Sequence, residues 1–187
     1  MCGNTSLAAI MFRCCLLGIP ALCLIACGPQ EPEVTFVRLG PEVLPDESFE
    51  KAPEQPLAKE SLIIYPENMT SFYDHPGEAG YFAFGAQYGF DSLSFVLTET
   101  HPRGGPPLHT HSVEEAHVLL AGTMEYIIGD QRFKATAPYI ARVPARTPHA
   151  FVNAGDTPLN LIGVLPTTEP DYEPIGPNPL VEEHGEH

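Results

Sequence analysis

Two stretches of sequence decide the fold: residues 105–122 read GPPLHTHSVEEAHVLLAG, and residues 144–153 read PARTPHAFVN. In the first stretch, His109 and His111 are two residues apart, so both imidazoles project from the same face of an extended strand. Glu115 follows at an even spacing and supplies a carboxylate, although a turn can intervene between them. This part of the sequence therefore predicts a group of metal-binding side chains on one face.

The second stretch adds His149, which opens an apolar strand immediately after a Pro-rich turn. A single His on an apolar strand is more often a buried, hydrogen-bonded residue than a ligand. The combination with His109, His111 and Glu115 favours ligation instead. Three imidazoles and one carboxylate form a mixed donor set that suits Fe, Mn, Ni, Cu or Zn in the divalent state.

Short alternating apolar runs surround these stretches and predict an all-β fold with one domain. Pro and Gly are abundant, at 21 and 16 residues, which is typical of strands joined by tight turns. The predicted strands are Leu62–Tyr65, Tyr81–Phe84, Leu93–Thr98, Ala116–Leu120, Met124–Ile128, Gln131–Lys134, Tyr139–Val143, His149–Asn153 and Leu159–Leu165. So many strands in so few residues predict a closed or sandwich-like barrel.

Both flanks of this region are acidic and rich in Pro. Residues 27–60 favour an extended tether, with one alternating run, Val34–Leu39, that suits an added edge strand and a homodimer contact. Residues 166–187 favour a surface-hugging or loose tail. The net charge of −15 lies mainly in these flanks, and no basic face is available for phosphates, which excludes a nucleic-acid partner.

The first stretch resembles the first cupin motif, in which HxH is followed by Glu and then Gly; His109, His111, Glu115 and Gly122 occupy those places. The second stretch resembles the second cupin motif, PxGxxHxxxN, through Pro144, His149 and Asn153, with Arg146 where Gly is usual. The resemblance implies a single cupin barrel, a double-stranded β-helix of jelly-roll type, over residues 61–165. It also implies His109, His111, Glu115 and His149 as the metal ligands.

Within the cupins, the sequence resembles small members related to quercetinase-type dioxygenases. This resemblance implies a metal-dependent dioxygenase that acts on a small organic substrate, with Glu115 leaving the metal to act as a base and His117 as a catalytic helper. An imidazole at His117 can hydrogen-bond a metal-bound water or the substrate, or orient Glu115. Either Glu125 or Tyr126 faces the cavity.

Two other functions remain open, because the cupin fold predicts reaction poorly. One is a non-catalytic module that binds or senses a small ligand. The other is a lyase or isomerase, which needs a cationic side chain inside the barrel, where Arg142 is the interior candidate. We expect Arg103 and Arg146 to be surface charges, His75 and His101 to be solvated loop residues, and Asn153 to form a turn.

The N-terminus predicts export and a lipid anchor. Arg13 precedes a short apolar run that ends in LIAC, and this tetrapeptide resembles the lipobox of bacterial lipoproteins. Residues 1–26 are then a signal peptide, with Met11 as an alternative start, and Cys27 is the lipidated residue of a membrane-anchored protein in the cell envelope. A plain membrane anchor with an incidental Cys is the alternative. All five Cys lie at or before position 27, which excludes thiol chemistry in the domain.

Overall fold

The computed structural model describes residues 36–53 and 57–181. The predicted signal peptide, Cys27, Val34 and the two His residues of the tail, His184 and His187, lie outside this part. Within it, no helix has the length and apolar character needed to cross a membrane. Processing, lipidation and export therefore stay predictions from the sequence.

Strands dominate the described residues. The helical parts are one 3-10 turn, Pro66–Asn68, one short helix, α1, Gly85–Tyr88, and residues 179–181. The strands are β1 Phe49–Lys51, β2 Thr70–Asp74, β3 Glu78–Ala83, β4 Ser94–Thr100, β5 Leu108–Thr110, β6 Glu115–Leu119, β7 Thr123–Ile128, β8 Gln131–Thr136, β9 Tyr139–Val143, β10 His149–Asn153, β11 Leu159–Leu165 and β12 Glu173–Gly176.

These strands form two antiparallel sheets. The larger has the order β1-β2-β3-β4-β11-β6-β9, and the smaller has the order β12-β5-β10-β7-β8. Strands that are distant in sequence pair in both sheets, as β11 does with β4 and β6. This arrangement confirms the predicted all-β class.

The strand predictions succeed best in the second half of the chain. Strands β9, β10 and β11 have the predicted bounds, and the predicted strands at β3, β4, β6, β7 and β8 are present with shifted ends. The predicted strand Leu62–Tyr65 is wrong: the segment is a loop in which Leu62 is 99% exposed and Ile64 packs beside Met69 on an outer cluster. Its apolar run covers the outside of the sheet without joining it.

The main core lies between the two sheets. Leu119 of β6, Met124 and Tyr126 of β7, and Phe151 of β10 are all almost completely buried there, together with Leu161 of β11. Their alternation along each strand is the pattern that a half-buried strand requires. This core closes one part of the space between the sheets, and the cavity described below occupies another.

The predicted edge strand in the N-terminal flank is wrong for its described part, Phe36–Leu39, which has no strand structure. The Asn160 side chain pairs with both backbone groups of Val37, at 2.9 and 2.7 Å. The backbone N–H groups of Leu39 and Gly40 donate to Oε2 of the buried Glu99, at 2.7 and 2.9 Å. Side chains of the sheet therefore provide the hydrogen bonds to the backbone of this segment that a neighbouring strand would otherwise provide.

Both flanks also contribute strands that the sequence did not predict. β1 lies in the predicted tether and pairs with β2. β12 lies in the predicted tail and pairs with β5, the strand that carries His109. Further along the tail, Leu180 is fully buried. The folded unit therefore extends beyond the predicted limits of 61 and 165.

Candidate metal centre

The four predicted ligands meet at one point between the sheets. One donor atom from each of His109, His111, Glu115 and His149 lies within 4.8 Å of the others, and all four residues are buried. His109 and His149 are paired directly across β5 and β10, so their imidazoles start from neighbouring backbone positions. Glu115 begins β6 in the facing sheet, so residues from both sheets reach the same point.

Backbone carbonyl groups fix the orientation of the three imidazoles. Nδ1 of His109 lies 2.7 Å from the carbonyl oxygen of Pro107, and Nδ1 of His149 lies 3.0 Å from that of Thr147. Nδ1 of His111 lies 2.5 Å from the carbonyl oxygen of Asp171. A carbonyl oxygen can only accept, so each Nδ1 carries a proton and Nε2 is the ring nitrogen that is left to bind a metal.

The Glu115 carboxylate lies among these imidazoles. Its Oε2 is 3.5 Å from Nε2 of His111 and 3.4 Å from Nε2 of His149. Burial raises the pKa of this carboxyl, but the charge of His117 and hydrogen bonds from the neighbouring imidazoles hold it well below its usual range. The group is therefore an ionised donor at neutral pH.

A glycine makes room for this carboxylate. Gly163 of β11 pairs with β6, and a Cβ atom at this position would lie 2.6 Å from Oε1 of Glu115. Any larger residue would push the carboxylate away from the imidazoles. The sequence predicted the ligand but not this requirement, because the two strands are adjacent only in the fold.

The donor set fits a divalent transition metal. Nε2 of His149 is buried and has no hydrogen-bond partner among the described residues, which is costly unless something binds it. Burial, and then the charge of His149, lowers the pKa of His109 to about 3, so this imidazole is neutral, as a ligand must be. Three imidazoles and one carboxylate whose donor atoms converge on one point form a set that binds such ions.

His117 contacts Glu115 and lies outside the ligand group. Its Nε2 is 3.1 Å from Oε2 of Glu115, and its ring packs edge-on against Phe151. Nδ1 of His117 is buried without a hydrogen-bond partner among the described residues. Of the two roles considered for His117, this geometry favours orientation of Glu115.

A cavity of about 440 Å³ opens beside the four donors, and three of them, His109, His111 and Glu115, line it. Such a volume is typical of small-molecule sites. Of the two β7 candidates, Tyr126 faces the interior, where its ring stacks on His117 at 5.9 Å. Glu125 instead pairs with Arg132 and Lys134 of the neighbouring strand β8.

The tail forms part of the site, which the sequence did not predict. The Asp171 carboxylate accepts hydrogen bonds from the backbone N–H and the hydroxyl of Ser112, at 3.0 and 2.6 Å, beside its carbonyl contact with His111. Tyr172 stacks on the ring of His109 with centroids 4.6 Å apart. No local pattern could reveal these contacts, because about 60 residues separate the partners.

Three other predictions need correction or comment. Arg142 is not interior: its side chain is 73% exposed and pairs with Glu114, because its position on β9 faces solvent. His101 is not simply solvated, since its Nε2 lies 3.0 Å from the buried Glu99 carboxylate. Arg146 adopts a positive φ of 56°, the conformation for which Gly is favoured at this turn.

Asn153 serves the turn after β10, as predicted. Its side-chain amide donates to the carbonyl oxygens of Thr100 and Thr157, both at 2.9 Å, and its Oδ1 accepts from the N–H of Gly155. The residue thus closes the end of the strand that carries His149, at a distance from the metal ligands.

Comparison with known proteins agrees with this geometry. Residues 96–165 match the family model described as the cupin domain. No curated protein sequence matches the chain. The match contains all four candidate ligands and excludes β1, β2, β3 and β12.

Among solved structures, the chain is similar to oxalate decarboxylase from Bacillus subtilis. The structure of a point mutant aligns at 18% identity with a TM-score of 0.51, over 55% of this chain and 29% of that one. A second structure of that enzyme, at pH 4.6, aligns at 20% identity with a TM-score of 0.50, over 54% and 28%. A third structure of that enzyme, from work on its Mn(II) centres, aligns at 18% identity with a TM-score of 0.51, over 55% and 29%.

At such low identity these similarities show the fold alone, and the aligned part is less than a third of each oxalate decarboxylase chain. The family match covers the strands that carry the four candidate ligands. The chain therefore contains a cupin domain, whose buried His and Glu residues form a candidate divalent metal site.

Proposed function

We propose that this protein is a metal-dependent oxygenase of the dioxygenase type that acts on a small organic substrate. One observation carries the proposal: His109, His111 and Glu115 belong to the four-donor group and also line the cavity. A substrate in the cavity therefore lies beside the bound metal, whereas a purely structural metal site is closed. A bound Fe, Mn, Ni or Cu ion would supply Lewis acidity and electron transfer to O₂.

The residues of the chain have separate parts in this proposal. His109, His111, Glu115 and His149 bind the metal, and the backbone carbonyls keep the three imidazoles in the tautomer that ligation needs. Glu115 also accepts a proton from an acidic hydroxyl of the substrate. His117 hydrogen-bonds Oε2 of Glu115 and so positions the carboxylate for this step.

The cavity wall supports a largely apolar substrate over a small dicarboxylate. Phe72, Phe82, Phe84 and Phe151 line it, and among the described lining residues there is no Lys or Arg to bind a second carboxylate. The similarity in fold to oxalate decarboxylase is therefore no reason to assign the substrate of that enzyme to this chain. A flavonol or another enolisable aromatic compound fits the wall better.

Oxygen consumption tests the proposal. Protein purified without a His tag is loaded separately with Fe, Mn, Ni and Cu and then given flavonols and other enolisable aromatic compounds. We expect O₂ uptake with at least one metal and substrate, and loss of that uptake in Glu115→Gln protein that still folds. One equivalent of tightly bound metal without O₂ uptake for any substrate would favour a binding or sensing module instead.

We also propose that the domain is held in the cell envelope by a lipid on Cys27. The support is the LIAC sequence at the end of a short apolar run. Growth with an alkyne-labelled fatty acid should label the wild-type protein and not the Cys27→Ser variant. Equal labelling of both proteins, or of neither, would contradict this assignment.

A further inference from the structure

A pair of acidic side chains lines the same cavity on strands outside the cupin match. Asp74 of β2 and Glu78 of β3 are direct partners in the antiparallel pair, and both line the cavity. Glu78 is only 3% exposed and pairs across the next strand with Thr100. Its carboxyl receives hydrogen bonds from Thr98 and Thr100. The proposed oxygenase chemistry uses neither of these acidic groups.

This arrangement is unfavourable for the folded chain alone. Like charges that are directly opposite on adjacent strands are destabilising. Burial, and then the charge of Glu50, raises the pKa of Asp74 to about 6. Burial, followed by the charges of Asp74 and Glu115, raises the pKa of Glu78 well above its usual range. Groups that are kept under such strain in a cavity are typical of a functional site.

Among the described residues that line the cavity, no Lys or Arg offsets these carboxyls. The described residues that line the cavity include Glu50, Asp74, Glu78, Glu115 and Asp171 but neither Lys nor Arg. A metal ion at the His cluster would offset Glu115. A cationic molecule in the cavity would offset the Asp74 and Glu78 pair and favour its ionised form.

Aromatic rings complete this part of the wall. Phe72 lies between Asp74 and the start of β2, and its ring packs against the backbone of Gly80. Phe82 and Phe84 are stacked with centroids 4.3 Å apart. Tyr172 also lines the cavity, and the charges of Asp74 and Glu78 contribute to raising its pKa, after burial. Aromatic faces beside carboxylates form the usual environment for an organic ammonium group.

We propose that the substrate carries a cationic nitrogen, which binds between Asp74, Glu78 and the aromatic wall while an oxygen of the substrate reaches the His and Glu cluster. This inference rests on the proposed function, because it names the substrate class of that site. Nε2 of His149 is buried, makes no hydrogen bond among the described residues and lies 3.4 Å from Oε2 of Glu115, which indicates a ligand in the His and Glu cluster that adjoins this cavity. The acidic pair therefore selects an ammonium-bearing aromatic compound over its neutral or anionic analogues.

Three catechols that differ in the charge of the side chain test the proposal: dopamine, hydroxytyrosol and 3,4-dihydroxyphenylacetate. Binding to the metal-loaded protein is measured by calorimetry without O₂ at pH 7. A charge-assisted hydrogen bond predicts that dopamine binds about 10-fold more tightly than hydroxytyrosol. The carboxylate analogue should bind most weakly. Equal affinity of dopamine and hydroxytyrosol, or preference for the carboxylate, would overturn the proposal.

Substitutions then assign the preference to the acidic pair. In Glu78→Gln and in the milder variant Asp74→Asn, the affinity for dopamine should fall to within about 3-fold of that for hydroxytyrosol. Affinity for hydroxytyrosol itself should be unchanged. Asp91→Asn, at an exposed acidic residue that does not line the cavity, should keep the full preference. If both cavity variants kept the preference for dopamine, the acidic pair would not be its cause.

A probe that needs no metal separates this proposal from the proposed oxygenase function. Phenethylamine should raise the melting temperature of the metal-free protein, 2-phenylethanol should have a smaller effect, and Glu78→Gln should abolish the difference. This result without O₂ uptake on any substrate would reject the oxygenase and keep the ammonium site. Metal binding and O₂ uptake without any ammonium preference would reject only the ammonium site.

Discussion

The residues that match the cupin domain and the residues that flank them contribute different things to one cavity. The matched part, residues 96–165, carries all four candidate metal ligands and His117. The described flanks carry Asp74, Glu78 and the aromatic residues of β2 and β3, and, in the tail, Asp171 and Tyr172. The matched part thus supplies the candidate metal ligands, and the flanks supply most of the other residues that line the cavity.

This difference separates the sequence information for metal ligation from the information for substrate recognition. Metal ligation needs a few donor atoms at fixed positions, and short motifs on rigid strands can encode it. Recognition of a substrate depends on the rest of the wall, which residues of β1, β2 and β3 and the segment just before β12 complete. The similarity to other cupins therefore concerns the metal site much more than the substrate.

Loss of a ligand from the matched part should have the largest effect. His149→Ala removes one of four donors and should abolish stoichiometric metal binding, as measured by elemental analysis of the untagged protein. The variant should also lose the increase in melting temperature that added metal gives the wild type, because an ion bound only by the folded state stabilises it. His75→Ala, at an exposed loop His, is the control and should bind metal normally.

A substitution in the flank, Asp74→Asn, should change the free energy of unfolding without changing metal binding. The pKa of Asp74 is about 6 in the folded state, against 3.8 for the ordinary group, because of burial and Glu50. Near pH 3 the carboxyl is mostly protonated in both states and costs little there. The cost grows between the unfolded pKa of 3.8 and the folded pKa of about 6, and it is fully present above the folded pKa. Metal-free Asp74→Asn should therefore nearly match wild type near pH 3 and exceed its stability by about 2 kcal/mol at pH 8.

Urea unfolding at the two pH values measures this difference, with Asp91→Asn as the exposed control. The groups that bear on Asp74 are Glu50, Glu78 and Tyr172. If Asp74→Asn is less stable than wild type at pH 8, the carboxylate stabilises the fold and the cavity is not under the electrostatic strain described above.

The sequence singled out the four donor residues that the structure brings together, because much of this information is local. The spacing of His109 and His111 puts both side chains on one face of a strand. Alternating apolar residues and clear turn sequences predict strands β9, β10 and β11. The wall was missed for physical reasons. Asp74 and Glu78 flank a Pro-Gly turn that resembles an ordinary polar loop, and the three-residue strand β5 is too short to show a period.

Two further errors have the same origin. Arg142 was placed inside because an alternating strand offers two faces, and the sequence does not say which one meets the core. β12 contains Pro and a register shift, and it exists only because it pairs with β5 about 60 residues away. Long-range pairing of this kind leaves no trace in local hydrophobic periodicity.

Loss of a contact between the tail and the matched part should have an intermediate effect on metal affinity. Asp171→Ala removes the carboxylate that holds Ser112 and loosens the segment whose carbonyl oxygen orients His111. Partners of metal ligands typically change affinity by 10- to 100-fold, so we expect a loss of about 10-fold in a chelator competition assay. Asp171→Asn keeps an oxygen acceptor for Ser112 and should recover most of the affinity. Unchanged affinity in Asp171→Ala would show that the tail does not support the site.

The smallest effect on metal content is expected for His117. His117→Phe removes the contact with Oε2 of Glu115 but no ligand, so one equivalent of metal should remain while O₂ uptake falls. Elemental analysis and oxygen consumption on the same sample check both parts. Loss of metal in this variant would place His117 among the ligands and contradict the assignment of the four donors.

The central claim is that one divalent metal ion binds His109, His111, Glu115 and His149 beside the cavity. Anomalous diffraction from crystals of the metal-loaded protein, recorded on both sides of the absorption edge of the metal, tests it most directly. We predict one strong peak at bonding distance from three Nε2 atoms and the Glu115 carboxylate. No peak there at full metal loading, or a peak bound by other residues, would contradict the account.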